Sequence, residues 1–217
     1  MSRPAGTKGE RTRARILEAA STLFARSGFN AVSLREIAAQ AGMTHAGLLH
    51  HFPGKESLLL EVLSIRDRED AAWLFPGLLE PGDAAEPTAV SAAERFWSVV
   101  DLTERNSRTP GLVALYTKVV AEAAAPDHPA HAYFVRRYQV LRRELGTLLA
   151  AALREADPPV AAEPEAVAQQ LLALMDGLQT QWVLEPDRVP MRRRVEEFLA
   201  LYGLRPAHRA TTGPVTG

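Results

Sequence analysis

The residues from Ser33 to Leu58 read SLREIAAQAGMTHAGLLHHFPGKESL, and their chemistry suits holding a polyanion rather than breaking a bond. Ser33 and Thr44 stand where helix N-termini are expected, and the free amides of such ends favour a phosphate oxygen. Lys55 adds a point charge, and Arg35 carries a fork that can reach phosphate or a guanine edge. Between these anchors lies His45-Ala46-Gly47-Leu48-Leu49-His50-His51. With Leu48 taken as inward, a rotation of roughly 100° per residue turns Phe52 inward and Ala46 and His50 outward, with Gly47 and Leu49 beside them. Small outward residues let a helix backbone approach base edges. An Ala or Leu can touch a thymine methyl, and a His can hydrogen-bond a base edge or phosphate. His45 sits in the first turn, from which a recognition helix reaches bases. The candidate DNA-binding set is therefore Ser33, Arg35, Thr44, His45, Ala46, Gly47, Leu49, His50, His51 and Lys55.

Each of these has a plainer use. Ser33 and Thr44 can act only as caps, and Arg35 can pair with Glu36 or Glu10. His50 and His51 diverge by about 100°, so only one faces DNA squarely. The same divergence argues against a metal site built from His45, His50 and His51.

The elements that must position these residues are short helices. Ile16, Leu17, Ala20, Leu23 and Phe24 mark one face of a helix from Glu10 to Ser27, stopped at Gly28. Ser33-Leu34-Arg35-Glu36 is a capping box that opens a second helix, with Leu34, Ile37 and Ala38 buried. Ala41-Gly42 turns the chain, Thr44 opens a third helix to about Phe52, and Pro53-Gly54 ends it. Two helices joined by a Gly-containing turn form the helix-turn-helix unit. Lys55 starts a fourth helix, with Leu58, Leu59, Val62 and Ile65 inward, reaching about Trp73.

Composition narrows the classes. The 217 residues include no Cys, which excludes disulfides, thiolate metal sites and Cys nucleophiles. No apolar run is long enough to span a bilayer and no signal core opens the chain, so a cytoplasmic location is expected. The net charge of −1 hides an uneven spread. Residues 1–56 hold eight Lys and Arg against four Glu, and the rest of the chain is acidic, which suits a polyanion at one end.

Beyond residue 75 the chain reads as helices separated by proline. A linker is expected over 76–90, then helices at about 91–105, 110–125, 130–156, 165–184 and 191–202. The fold class is all-α, with no alternating strand pattern. Expected boundaries are a flexible basic arm over 1–9, a helix-turn-helix domain over 10–56, a helical bundle over 57–205 and a disordered tail over 206–217. Phe134, Tyr138, Leu141, Leu145, Leu148 and Ala152 form one narrow apolar seam. Val167, Leu171, Leu174, Leu178 and Trp182 form another. Such seams serve a core or a subunit interface, and a homodimer through about 130–156 and 165–184 is expected.

From about Glu10 to Leu63 the chain resembles the N-terminal domain of TetR-family bacterial transcriptional regulators. The likeness rests on ILEAASTLFARSGFNAVSLREIAAQAGMTHAGLLHHFPGKESLLLEVL, above all its Phe-Pro-Gly-Lys and Leu-rich continuation. It implies an all-α homodimeric repressor that binds a double-stranded operator. A small-molecule effector in the C-terminal domain would change the separation of the two recognition helices. Leu49 departs from the family's usual Tyr, which touches the DNA backbone, and Gly54 from its usual Ser or Asn. The segment LLALMDGLQTQWVLEPDRV resembles the C-terminal region of BetI-type, choline-responsive repressors, a branch too broad to fix choline as ligand.

Aromatic residues of the C-terminal half offer an apolar pocket. Candidate ligand contacts are Trp97, Tyr116, Phe134, Tyr138, Met175 and Trp182, with Asp176 or Gln179 as a polar anchor. Trp73, Phe75 and Phe96 share the composition but fit an ordinary core. Gly177 in mid-helix fits a close helix approach at a dimer seam. His128 and His131, beside Asp127, fit a helix start better than a metal site. No catalytic, metal or cofactor motif emerges. Two other classes stay open. One is an α-helical enzyme with a Ser/His/Asp set, although no nucleophile context or phosphate loop supports it. The other is a protein-interaction module whose helix-turn-helix binds a protein.

Overall fold

The computed structural model describes residues 7–74, 92–156 and 160–205, with the side chains of 72–74 and 92–95 left aside. Most of the expected arm, the linker, Trp73, Phe75 and the tail lie outside these described side chains and residues. Among the described residues every regular element is a helix: α1 Lys8–Ser27, α2 Leu34–Gln40, α3 His45–His51, α4 Lys55–Leu74, α5 Ala92–Ser107, α6 Pro110–Glu122, α7 His131–Glu155, α8 Pro164–Leu184 and α9 Met191–Ala200. No helix among them is long and apolar enough to cross a membrane.

The first helix begins two residues before its expected start. Thr7 accepts from the Glu10 amide at 3.2 Å, and the Glu10 carboxylate accepts from the Thr7 amide at 2.6 Å. This capping box satisfies two amides that a helix start otherwise leaves unpaired. It places Lys8 and Gly9, expected in the basic arm, in the first turn of α1.

Two apolar cores hold the helices. The first joins Ile16, Leu23 and Phe24 of α1, Ile37 of α2, Leu48 of α3 and Leu58, Leu59 and Leu63 of α4 to Leu115 and Val119 of α6. The second gathers Phe96, Leu149, Leu171, Trp182, Val195 and Leu199 from α5, α7, α8 and α9. The expected border between residues 56 and 57 falls inside α4, whose first half fills the first core. One continuous helix therefore runs from the helix-turn-helix end into the bundle.

The apolar seams of α7 and α8 turn inward within one chain. Leu145 and Ala152 of the α7 seam and Val167, Leu171 and Leu178 of the α8 seam are buried in the second core, and Leu141, Leu148 and Leu174 are half-buried against it. Any partner chain must therefore meet other faces of these helices.

Candidate functional site

The reading end is built from short-range contacts. Ser33 accepts from the Glu36 amide at 3.2 Å, while the Glu36 carboxylate accepts from the Ser33 amide at 2.8 Å and from its hydroxyl at 2.7 Å. These bonds hold the Glu36 carboxyl below the usual carboxylate range. They also correct the expectation of Ser33 as a phosphate anchor, because its hydroxyl is engaged and a carboxylate occupies that helix end. Gly42 ends α2 with φ +65, a left-handed turn that a side chain would strain. The Met43 amide donates to the Ala38 carbonyl at 3.0 Å, closing a Schellman-type stop. Thr44 then accepts from the Gly47 amide at 3.1 Å and opens α3. Its own proton is free for a phosphate.

On α3 the outward face is as expected. Leu48 and Phe52 are buried, while His45, Ala46, Leu49 and His50 are exposed and Gly47 and His51 half-buried. Leu49 is 41% exposed, a large apolar side chain with no packing role that accounts for it. Arg35 is exposed and makes no ion pair among the described residues, so it pairs with neither Glu36 nor Glu10.

Lys55 has a second duty. Its ammonium donates to the carbonyls of Phe29 and Val32, both at 2.9 Å, and lies 4.3 Å from the Phe29 ring centroid. Two of its three donors thus fasten the α1–α2 turn to α4, leaving one for a phosphate. Arg13 makes a related clasp, bonding Glu61 at 3.2 Å and lying over the Phe52 ring.

A joint connects this end to α6. Gly28 has φ +82, and a Cβ there would sit 2.4 Å from Glu122 Oε1. The other Glu122 oxygen accepts the Phe29 amide at 3.0 Å, and His128 packs edge-on against Phe29 at 5.1 Å. His128 Nδ1 accepts from the Ala130 amide at 3.2 Å, and His131 Nδ1 meets the Ala123 carbonyl at 2.9 Å. Both imidazoles serve the α6–α7 turn and this joint.

The bundle holds a partly open cavity of about 530 Å³. Its apolar wall includes Leu102, Val113, Phe134, Leu141, Leu145, Leu172 and Met175. Of the expected ligand contacts, Tyr116, Phe134, Tyr138, Met175, Asp176 and Gln179 line it. Trp97 and Trp182 do not, which corrects that reading. Trp97 packs edge-on against Phe96 at 5.9 Å, and Trp182 is buried in the second core.

Polar groups missed in the sequence line the same wall. Arg66, only 6% exposed, bonds Asp70 at 2.9 Å and also Asn106. Arg105 reaches Asp70 at 2.8 Å. Burial nevertheless holds the Asp70 carboxyl above its ordinary range against both guanidinium groups. Asp67 accepts from Arg137 Nε at 2.9 Å and from the Tyr133 hydroxyl. Tyr116 donates to the Leu63 carbonyl at 2.7 Å and lies 3.3 Å from the Tyr133 oxygen. Burial first, then Asp67, push both phenols above their ordinary range. Burial is the largest single influence and opposes the charge on Arg137, but Asp67 together with Tyr116 and Tyr133 raises the pKa on balance. The signal for Arg66 and Asp70 was available: the inward positions Leu59 and Val62 continue at helical spacing through both.

Comparison with known proteins fits this layout. A model described as "Bacterial regulatory proteins, tetR family" matches residues 16–62, and one described as "BetI-type transcriptional repressor, C-terminal" matches residues 92–202. The HTH-type transcriptional repressor KstR2 of Mycolicibacterium smegmatis is 39% identical over 74 residues, covering 34% of this chain and 32% of that protein. The chain thus matches about a third of the length of such curated relatives. Among solved structures, SCO4454, a TetR-family transcriptional regulator from Streptomyces coelicolor, is 26% identical with a TM-score of 0.69, covering 89% of this chain and 97% of that one. A putative transcriptional regulator from Saccharomonospora viridis in complex with choline is 25% identical with a TM-score of 0.66, covering 88% and 96%. With the second of its two family models covering more than half of its residues, the chain belongs to the TetR family of bacterial regulatory proteins.

Proposed function

We propose that this protein is a homodimeric, effector-responsive transcriptional repressor that reads a palindromic operator. The observation that carries the reading is the outward face of α3. His45, Ala46, Leu49 and His50 are exposed on a helix pinned from behind by buried Leu48 and Phe52. Small and apolar groups there fit base edges, and Thr44, Arg35 and the remaining donor of Lys55 fit phosphates. In this reading residues 10–56 and the start of α4 form the reading domain, and the helices beyond form the effector and dimer domain.

Dimerisation uses the outward faces of α7 and α8. Val135 of α7 and Leu184 of α8 are exposed apolar residues outside the cavity lining. A Cβ at Gly177 would meet nothing within 4 Å, so no intrachain contact explains that glycine and a partner helix can approach there. Two-fold symmetry then makes the operator a palindrome, with half-sites one helical turn or a multiple apart.

The effector occupies the cavity, whose volume of about 530 Å³ falls in the range that holds small organic ligands. Arg66, Asp67 and Asp70 of its wall lie on α4, the helix whose other end packs in the DNA-reading core. A ligand that favours one position of α4 shifts the population between DNA-binding and released states. The test is selection of genomic fragments on purified protein, followed by titration over a salt series. The expected result is one palindromic motif, with affinity falling steeply as salt rises. Recovery of fragments without a shared motif would refute the proposal.

A further inference from the structure

The three aspartates among the carboxylates on the cavity wall are not equivalent. Asp67 is paired with Arg137, and Asp70 with Arg66 and Arg105. Asp176 has no cationic partner within ion-pair distance among the described residues. Its only side-chain hydrogen bond comes from the Tyr138 hydroxyl, at 2.6 Å to Oδ2. Oδ1 has no donor among the described residues, and Asp176 is one of the residues that line the cavity. Gln179, one turn further along α8, lines the cavity beside it with no bond to another described residue. Leu172 and Met175 make the wall around this pair apolar, and Leu141, Leu145 and Leu148 of α7 line the same space.

Burial holds the Asp176 carboxyl above its ordinary range, against the pull of Tyr138 and of the more distant Arg137. A lone carboxylate in such a wall lowers stability unless a cation completes it. Arg66 and Arg137, two cations of the wall, are each bonded to another aspartate, Asp70 and Asp67, and neither forms an ion pair with Asp176. Arg136 and Glu144 also line the cavity; both are exposed, and Glu144 is bonded to Arg143.

Resting on the reading of this cavity as the effector site, we infer that its ligand is an amphiphilic ammonium ion, with N–H donors for Asp176 and Gln179 and an apolar body against Leu141, Leu145 and Met175. The acceptors at this pole are oxygens able to take hydrogen bonds. A head that carries N–H groups is therefore favoured over a quaternary one, which can offer only charge. The remaining volume calls for an aliphatic or aromatic body rather than a second polar end.

The test uses the full-length protein and four ligands of one chain length: octylammonium, octyltrimethylammonium, octan-1-ol and octanoate, titrated by calorimetry near neutral pH. Octylammonium is expected to bind at least about tenfold more tightly than the other three. Asp176→Asn is expected to erase that preference by weakening octylammonium, and Tyr138→Phe, which keeps the carboxylate, to retain it. Thermal melting of both variants checks that each is folded. Equal affinity for the four ligands, or a preference that survives Asp176→Asn, overturns the assignment. Equal binding of the two cations overturns its N–H part. A parallel DNA titration separates the two levels. If bound ligands of any charge still lower DNA affinity, the effector reading stands and only the chemical class falls. If saturating ligand leaves DNA affinity unchanged, the effector reading falls as well.

Discussion

The two ends of this molecule handle their polar groups in opposite ways. At the reading end the side-chain bonds that open the helices are local: Thr7 with Glu10, Ser33 with Glu36, Thr44 with Gly47, each three residues apart, while Lys55, Arg13 and Glu122 tie the back of the unit over longer spans. Around the cavity the bonds are long-range: Asp67 with Arg137 seventy positions away, and Asp70 with Arg105 thirty-five away. Local caps satisfy backbone amides and leave the outward face of α3 unencumbered. Long-range pairs instead tie α4 to α5 and α7, so the position of α4 depends on groups that line a cavity. A surface that must read another molecule keeps its side chains free. On the proposed reading, a wall that responds to a ligand holds its side chains in bonds that can be exchanged.

Breaking a long-range pair should have the largest effect. Arg137→Ala leaves Asp67 without its guanidinium, and partial exposure keeps the cost toward the low end, about 2–3 kcal/mol of unfolding free energy. Urea denaturation measures it. Lys55 is one of the longer-range fasteners at the reading end, beside Arg13 and Glu122, and Lys55→Ala should cost about 2 kcal/mol through its two lost bonds to carbonyls. If Lys55→Ala weakened DNA binding with no change in the urea midpoint, the anchoring role would outweigh the fastening one. A purely local bond should matter less: Ser33→Ala is expected to cost about 1 kcal/mol in the same assay.

The smallest effect is a gain. The carboxyl of Asp176 is held above its ordinary pKa by burial, so the folded state binds a proton more readily than the unfolded chain. The associated stability is fully present below the ordinary carboxylate pKa and is lost as pH rises through the raised value. At neutral pH Asp176→Asn should therefore raise Tm, by about 2–4 °C for each kcal/mol gained. That gain should vanish as the pH falls below the ordinary carboxylate range. A Tm difference that did not change with pH would show that the carboxylate charge is not its cause.

The same contrast explains what could be read from the chain. The Ser33 box, the Thr44 cap and the inward pair Leu48 and Phe52 depend on spacings of three and four residues, which the sequence displays. Thr7-Lys8-Gly9-Glu10 repeats the pattern of the Ser33 box and was legible on the same ground. Arg66 and Asp70 continue the inward stripe of α4, so their burial was legible but their partners were not. Nothing local in the sequence pairs Asp67 with Arg137, since only packing of α4 against α7 brings them together. Trp97 and Trp182 were drawn into the pocket by composition. Composition cannot separate a cavity wall from the solid core beside it. The seams of α7 and α8 were read correctly as apolar, but periodicity could not say whether the partner helix belongs to the same chain.

The central claim is that the exposed face of α3 reads DNA. Ala46 lies on that face, away from both cores, so Ala46→Glu should leave Tm unchanged while setting a carboxylate against the bases and phosphates. The direct measurement is fluorescence anisotropy of the fragment selected from genomic DNA, titrated with wild type and with Ala46→Glu at one salt concentration. The account predicts a loss of affinity of at least about a hundredfold for the variant. An Ala46→Glu protein that is folded and binds that fragment as tightly as wild type would contradict it.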